Sequence, residues 1–217
     1  MENKITNDCY HYFYDPFLYG LSTTFWKVFI GAAKAVDGKI RLTSAKLSTL
    51  KTFLYGTFEM NLTMSAPVSG EDKTFGLFSR ARGFKNCAIF KVKQGKLYAS
   101  SYDNNGIENL KEIVWHAEWT DTITRFSIET SPSENIFSIN GQECSRNQVN
   151  IGRQMMNPMY FENTGGATNV MFINYIDIVE SRKVGVDVTG TYSTSSSTSS
   201  TSSSTSSSTS SSTSALA

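Results

Sequence analysis

Long hydrophobic runs are missing from this chain. No stretch of about 18 apolar residues occurs in its 217 positions, so no membrane-crossing helix is expected. The first twenty residues, MENKITNDCYHYFYDPFLYG, lack a basic start followed by an apolar segment, so no conventional signal peptide is visible. An excess of one charge is missing too: 20 Lys and Arg stand against 19 Asp and Glu, for a net charge of +1. Without a basic field, neither nucleic acid nor an anionic membrane is an expected partner. Histidine is scarce. His11 and His116 lie far apart, which argues against a two-histidine metal centre, and no nucleophile elbow supports a Ser-His-Asp triad. The three cysteines, Cys9, Cys87 and Cys144, form no C-x-x-C pattern. They read as buried or free thiols, with one disulfide as the alternative.

What the sequence does contain is strands and turns. Aromatics make up 12% of the chain, with 14 Phe and 10 Tyr, and they stand among Thr, Ile and Val, which favours strands over helices. Turn signals recur at short intervals: VDGK from Val36, SGED from Ser69, KQGK from Lys93, DNNG from Asp103, SPSEN from Ser131, INGQ from Ile139 and NTGG from Asn163. Between them, ten runs read as strands: Phe25–Ile30, Lys39–Thr43, Leu54–Ser65, Thr74–Ser79, Cys87–Lys93, Lys96–Tyr102, Thr122–Thr130, Asn135–Ile139, Met159–Glu162 and Asn169–Glu180. The clearest lies in FLYGTFEMNLTMSAP, where Phe58, Met60, Leu62 and Met64 alternate with Glu59, Asn61 and Thr63, the period of a half-buried strand. SAKLSTLKTF, from Ser44 to Phe53, is expected to form at most a helical turn. Short strands with polar turns predict an all-β sandwich or barrel.

The expected organisation is one β-sandwich domain over residues 1–190, with 1–22 as an N-terminal extension, and a low-complexity tail over 191–217. That tail is almost entirely Ser and Thr. It has neither apolar surface nor charge to offset the cost of ordering its backbone, so disorder is expected. It reads either as a polar tether or as a stalk carrying O-linked glycans, with Thr198 and Thr205 as candidate acceptors. Asn61-Leu62-Thr63 is a sequon that the alternation puts on the polar side of its strand, making Asn61 a candidate N-glycan site.

Three stretches together resemble the laminarinase/lichenase-type β-glucanases and the wider concanavalin A-like jelly-roll superfamily. FLYGTFEMNLTM is similar to the family's YG-x-[FY]-E strand. ITRFSIETSPSENIFSINGQE, Ile123 to Glu143, resembles its hairpin ending in I-x-[FW]-x-x-D-G, and VMFINYIDIVES, Val170 to Ser181, resembles its closing strand. They occur in the family's order. The resemblance implies an antiparallel jelly roll acting on glycans. It also implies a catalytic strand of the form E-[ILV]-D-x-x-E, because glycoside cleavage needs a pair of carboxylates. The corresponding stretch here is FKNCAIFKVKQG, with Cys87, Ile89 and Lys91 on one face, Ala88, Phe90 and Val92 on the other, and no carboxylate on either. A lysine in the cleft would work against keeping an acid protonated. The family's closing-strand aspartate helps hold a structural calcium; Asn174 takes that place, a weak ligand where Ca²⁺ wants anionic charge.

These readings predict a module with no enzymatic activity. Glu59 is expected to be a surface or cross-strand charge, and a displaced catalytic pair drawing on Glu118 or Asp103 is the minor alternative. In VWHAEWTDT, Trp115 and Trp119 could stack on sugar rings with Asn104, Asn105 and Arg125 as polar partners, or could pack under a loop. Arg80, Arg82 and Lys85 read as a solvated turn. The expected partners are glycans or a glycosylated host surface, with self-association or packing beside other virion or surface proteins as the structural alternative. The expected location is a virion, the extracellular space or a cell surface. No cofactor is expected beyond a weakly supported structural calcium.

Overall fold

The computed structural model describes residues 8–18, 20–53, 55–81, 83–149, 157–166 and 169–183. In chain order its strands are β1 (Asp8–Asp15), β2 (Trp26–Val36), β3 (Lys39–Phe53), β4 (Gly56–Met64), β5 (Lys73–Ser79), β6 (Gly83–Lys93), β7 (Lys96–Tyr102), β8 (Glu108–Ile113), β9 (Thr124–Thr130), β10 (Glu134–Ile139), β11 (Gln142–Gln148), β12 (Asn157–Asn163) and β13 (Met171–Lys183). Among the described residues a single 3₁₀ turn, Ala117–Trp119, interrupts them. The chain divides into a unit Met1–Val184, which carries all of these strands, and a unit Gly185–Ala217. The Ser/Thr-rich tail, with Thr198 and Thr205, lies outside the described residues.

Local chemistry sets the hairpins. Asp37-Gly38, Gln94-Gly95 and Asn140-Gly141 each have positive φ at both positions, the type I′ geometry whose twist matches the flanking strands. They close β2–β3, β6–β7 and β10–β11, pairing Val36 with Lys39, Lys93 with Lys96 and Ile139 with Gln142. Alternation then sorts the faces. In β9, Phe126 and Ile128 point inward, while Arg125 and Glu129 are exposed. Phe58, Met60, Leu62 and Met64 of β4 are all buried, as their spacing implies.

The strands form one antiparallel path, β11-β10-β9-β4-β13-β3-β12-β5-β6-β7-β8, with β1 beside β13 and β2 beside β3. The path folds on itself as a sandwich. Phe90 of β6 meets Phe126 of β9 and Phe137 of β10, with ring centroids 5.2 and 5.1 Å apart. β3 stays with β13 only over Met171–Ile173, and β1 pairs it from Ile176 onward. The far ends of the path also approach: Asn147 Nδ2 on β11 donates to the Asn109 carbonyl on β8 at 3.1 Å. This nearly closed, all-antiparallel sheet is a jelly-roll sandwich.

The structure departs from the sequence reading in four elements. Ser44–Phe53 is not a helical turn but the second half of the 15-residue β3, because its polar residues find partners on β12 and β2. β1 runs through the expected N-terminal extension. β8 and β11 were not anticipated: their side chains are mostly exposed, so alternation hardly marks them.

One polar group sits deep at the edge of the core. Lys73 is only 1% exposed, and its Nζ donates to Asn169 Oδ1 at 2.5 Å. Ser65 Oγ donates to the same oxygen at 2.5 Å, and Asn163 Nδ2 donates to the Asn169 carbonyl at 2.8 Å. Burial lowers the Lys73 pKa from its ordinary 10.5, opposed in part by the Glu71 carboxylate. A lysine depressed in the folded state leaves the unfolded chain holding more protons between the two pKa values, so stability rises with pH there. The penalty is full below the folded pKa and lifts as pH climbs toward 10.5. Urea melts from pH 7 to 10.5 should therefore show wild type gaining on Lys73→Met. Parallel pH profiles for the two proteins would refute this.

Candidate functional site

An antiparallel sheet usually buries one face and wets the other. The sheet β3-β12-β5-β6-β7-β8 departs from that pattern. Its inward face supplies Phe75, Phe90, Val92, Leu97 and Phe161 to the main core. Its outward face carries a second buried cluster of Phe78, Cys87, Ile89, Tyr102 and Tyr160. Cys87 and Ile89 do share a face with Lys91, opposite Ala88, Phe90 and Val92, in the register that pairs them with Tyr102, Ser100 and Tyr98.

Phe84 lies over this layer. Asn86 adopts φ +48°, a local irregularity in β6 that lets Phe84 and Cys87 both face outward. The Phe84 ring is 48% exposed, and its centroid lies 4.9 Å from Phe78 and 4.8 Å from Tyr102. Tyr160 meets Phe78 edge-on at 5.0 Å. Lys91 Nζ sits 4.9 Å from the Phe84 centroid and 4.6 Å from that of Tyr102. A cation over aromatic faces is held by their quadrupoles.

Polar groups rim the aromatics. Lys91 Nζ donates to Tyr102 Oη at 2.5 Å and pairs with Glu108 Oε1 at 2.7 Å, while Ser100 Oγ donates to the same Glu108 oxygen at 2.6 Å. Burial alone would raise the Glu108 pKa, but hydrogen bonds from Lys91, Ser100 and Tyr102 outweigh it and hold the carboxyl below its ordinary range. Burial, then the neighbouring Glu108, raises the Tyr102 phenol. On the other side, Tyr160 Oη donates to Glu162 Oε2 at 2.6 Å, and Lys46 pairs with Glu162. Burial pushes the Cys87 thiol beneath this layer up to about 12, far from a reactive thiolate. Cys87 and Cys144 are free.

The sequence-predicted residues fall elsewhere. Trp119 is 9% exposed and belongs to the main core, so it offers no open stacking face. Trp115 packs edge-on against it at 5.6 Å and donates Nε1 to Thr120 Oγ1 at 3.1 Å. Asn104 and Asn105 sit in the β7–β8 turn, where Asp103 Oδ1 accepts from the Asn105 and Ile107 amides, both at 2.8 Å. That is turn chemistry. Arg125 is exposed on β9, its amide bonded to Asn140 Oδ1. Of these five residues, Trp115 and Trp119 touch each other. Glu118 is exposed in the 3₁₀ turn. Glu59 stands opposite Asp177 and Ser127 in the other layer.

Asn61 and Asn174 meet across neighbouring strands. Asn61 is buried at 3% exposure, because the β13 irregularity after Ile173 lays Asn174 against it, with Asn174 Nδ2 donating to the Asn61 carbonyl at 3.3 Å. An N-linked glycan does not fit there. Asn174 also donates to Thr63 Oγ1 at 3.0 Å, and among the described residues no three His, Cys, Asp or Glu gather as metal ligands. Asn174 Oδ1 is buried with no hydrogen-bond partner; a calcium there would need carboxylates beyond the amides and hydroxyl of this contact.

Sequence reasoning passed over Phe84, Tyr102, Tyr160, Glu108 and Glu162. The available signal was the outward alternation Tyr98, Ser100, Tyr102 beside Cys87, Ile89, Lys91, which marks an outward face too apolar for plain solvation.

The all-antiparallel jelly roll is a fold that this chain shares with solved proteins. More narrowly, the fold is the concanavalin A-like jelly roll of the laminarinase and lichenase-type β-glucanases. A β-glucanase of Bacillus licheniformis superposes with a TM-score of 0.63 at 15% identity, over 77% of this chain and 97% of that one. The catalytic domain of an endo-1,3-β-glucanase (laminarinase) from Thermotoga petrophila does so at 0.58 and 14% identity, over 81% and 99%. The transglycosylase Crh5 matches at 0.60 and 12%, over 79% and 85%. No protein-family model and no curated protein matches the sequence. These neighbours overturn the expectation that the domain is no enzyme, since the fold it shares is the fold of a glucanase, a laminarinase and a transglycosylase.

Proposed function

We propose that the outward face of β3-β12-β5-β6-β7-β8 binds glycan chains. The observation that carries this reading is Phe84, a half-exposed ring lying on a buried aromatic layer and edged by Lys91, Glu108 and Ser100. Apolar surface rimmed by convergent polar groups is the usual make-up of a ligand site. A pyranose ring offers an apolar C–H face to an aromatic ring and hydroxyls at its edge. Glu108, held ionised, accepts from those hydroxyls, and Lys91 donates to them. The glucanase and laminarinase neighbours support the ligand class by analogy of fold.

Isothermal titration with laminarin and lichenan oligosaccharides tests the reading. Phe84→Ala should weaken binding by about 1–2 kcal/mol, the loss of one aromatic contact, with little change in melting temperature because the ring is half exposed. Affinity unchanged by Phe84→Ala would refute the placement. The same samples are assayed for reducing ends, since the neighbours cut or transfer glycosidic bonds. Glu108→Gln and Glu162→Gln are the informative variants, being the carboxylates hydrogen-bonded to the tyrosines and serine of this face.

A further inference from the structure

Charge is unevenly spent across the outward face. Lys46 is neutralised by Glu162, Lys91 by Glu108 and Lys96 by Glu112. Lys93, exposed at the end of β6, has no such partner, and neither have two cations that share one aromatic ring. Lys27, on β2 opposite Ser48 in register, holds its Nζ 5.0 Å from the centroid of Phe29. Arg80, at the end of β5, brings its guanidinium carbon to 5.8 Å from the same ring. Both side chains are exposed, and Phe29 itself is 39% exposed. Lys27 and Arg80 therefore bring two unpaired positive charges onto one exposed ring. Lys27 is in register with Ser48, and Ser48 with Tyr160 of the buried aromatic layer, so the Phe29 ring and its two cations stand on the same side as the Phe84 platform.

We propose that the glycan taken by this face is acidic, bearing carboxylate or sulfate groups that Arg80 and Lys27 recognise beside the Phe29 ring. The inference rests on the glycan-binding reading above. A guanidinium presents a planar fork of donors that matches the paired oxygens of a carboxylate or sulfate. Its stacking on Phe29 restricts the side chain before the ligand arrives, so less freedom is lost on binding. Arg80 lies in SRARGFK, a stretch that by sequence reads as a solvated turn; its position over Phe29 is what changes that reading. A neutral glucan would leave both cations unmatched and would gain nothing from them.

The test is titration of the full chain with three probes of matched length: oligogalacturonate, a sulfated galactan oligosaccharide and a laminari-oligosaccharide. At low salt the better of the two acidic probes should bind about tenfold more tightly than the neutral one. That preference should collapse in 0.5 M NaCl and in the double variant Arg80→Gln/Lys27→Gln. The double variant should keep the wild-type melting temperature and its affinity for the neutral probe. Which acidic probe binds more tightly identifies carboxylate or sulfate as the recognised group. Equal or tighter binding of the neutral probe overturns this inference while leaving the glycan-binding reading intact. Acidic preference that survives in the double variant also overturns it, because the selectivity then arises elsewhere. Failure of all three probes to bind overturns the glycan-binding reading itself.

Discussion

Replacing Phe90 with alanine is expected to remove about 3–5 kcal/mol of folding stability, the usual cost of deleting a large aromatic from a packed core. Phe90 is fully buried. It stacks on Phe75 of the neighbouring strand at 5.3 Å and 21°, and meets Phe126 and Phe137 of the opposite layer nearly edge-on. Phe75 also meets Phe126, at 5.0 Å. The four rings thus join β5, β6, β9 and β10, and truncating the shared member opens a cavity bounded by both layers. Neither layer can collapse into it without breaking its own ladder. A fall in Tm of roughly 6–20 °C should accompany the change in a domain of this size. A loss below about 1 kcal/mol in urea titration would show that the two layers are held together elsewhere.

Gly76→Ala should be comparably severe, at about 3 kcal/mol or more, because two costs combine. Gly76 has φ +134°, a backbone conformation that an L side chain adopts only under strain. An added Cβ would lie 2.6 Å from the Ala88 carbonyl oxygen, 2.8 Å from Ile128 Cδ1 and 3.0 Å from Ile89 Cα. Two of those atoms are backbone, so relief requires β5 and β6 to separate, with a further overpacking penalty. Gly76 is in register with Tyr160 on one side and Ile89 on the other, both under the aromatic face, so glycan affinity should fall together with stability. Gly166→Ala is the matched control. Nothing lies within 4 Å of a Cβ there, and its stability should stay within about 0.5 kcal/mol of wild type. Equal melting points for the two alanine variants would contradict the clash.

Legibility in the sequence followed the strength of the alternating pattern. β4, β9 and the β10–β11 turn announce themselves through Phe58 to Met64, Phe126 and Ile128, and Asn140-Gly141. With the closing stretch Val170 to Ser181, these segments carry the resemblance to the glucanase jelly roll. β8 and β11 expose most of their residues, so no apolar period sets them apart from loops. β3 was half lost because Ser48 and Thr49 are polar yet buried, Thr49 Oγ1 accepting from the Met159 amide of β12 at 3.0 Å.

The site shows the same division more sharply. Period 2 by itself determined that Cys87, Ile89 and Lys91 share a side, and that this side of β6 has no carboxylate. It could not determine what stands beside them. Lys91 meets Glu108 across 17 positions, Lys46 meets Glu162 from a distant strand, and Arg80 shares the Phe29 ring with Lys27. The tryptophans went the other way: Trp119 reads as a platform, yet it belongs to the main core at the end of the 3₁₀ turn. Local sequence encodes which way a side chain leaves its strand, whereas the neighbours it meets depend on strand order and register. Those are settled by the burial of the whole sheet at once, since a one-residue slip in any strand would turn its apolar side to water.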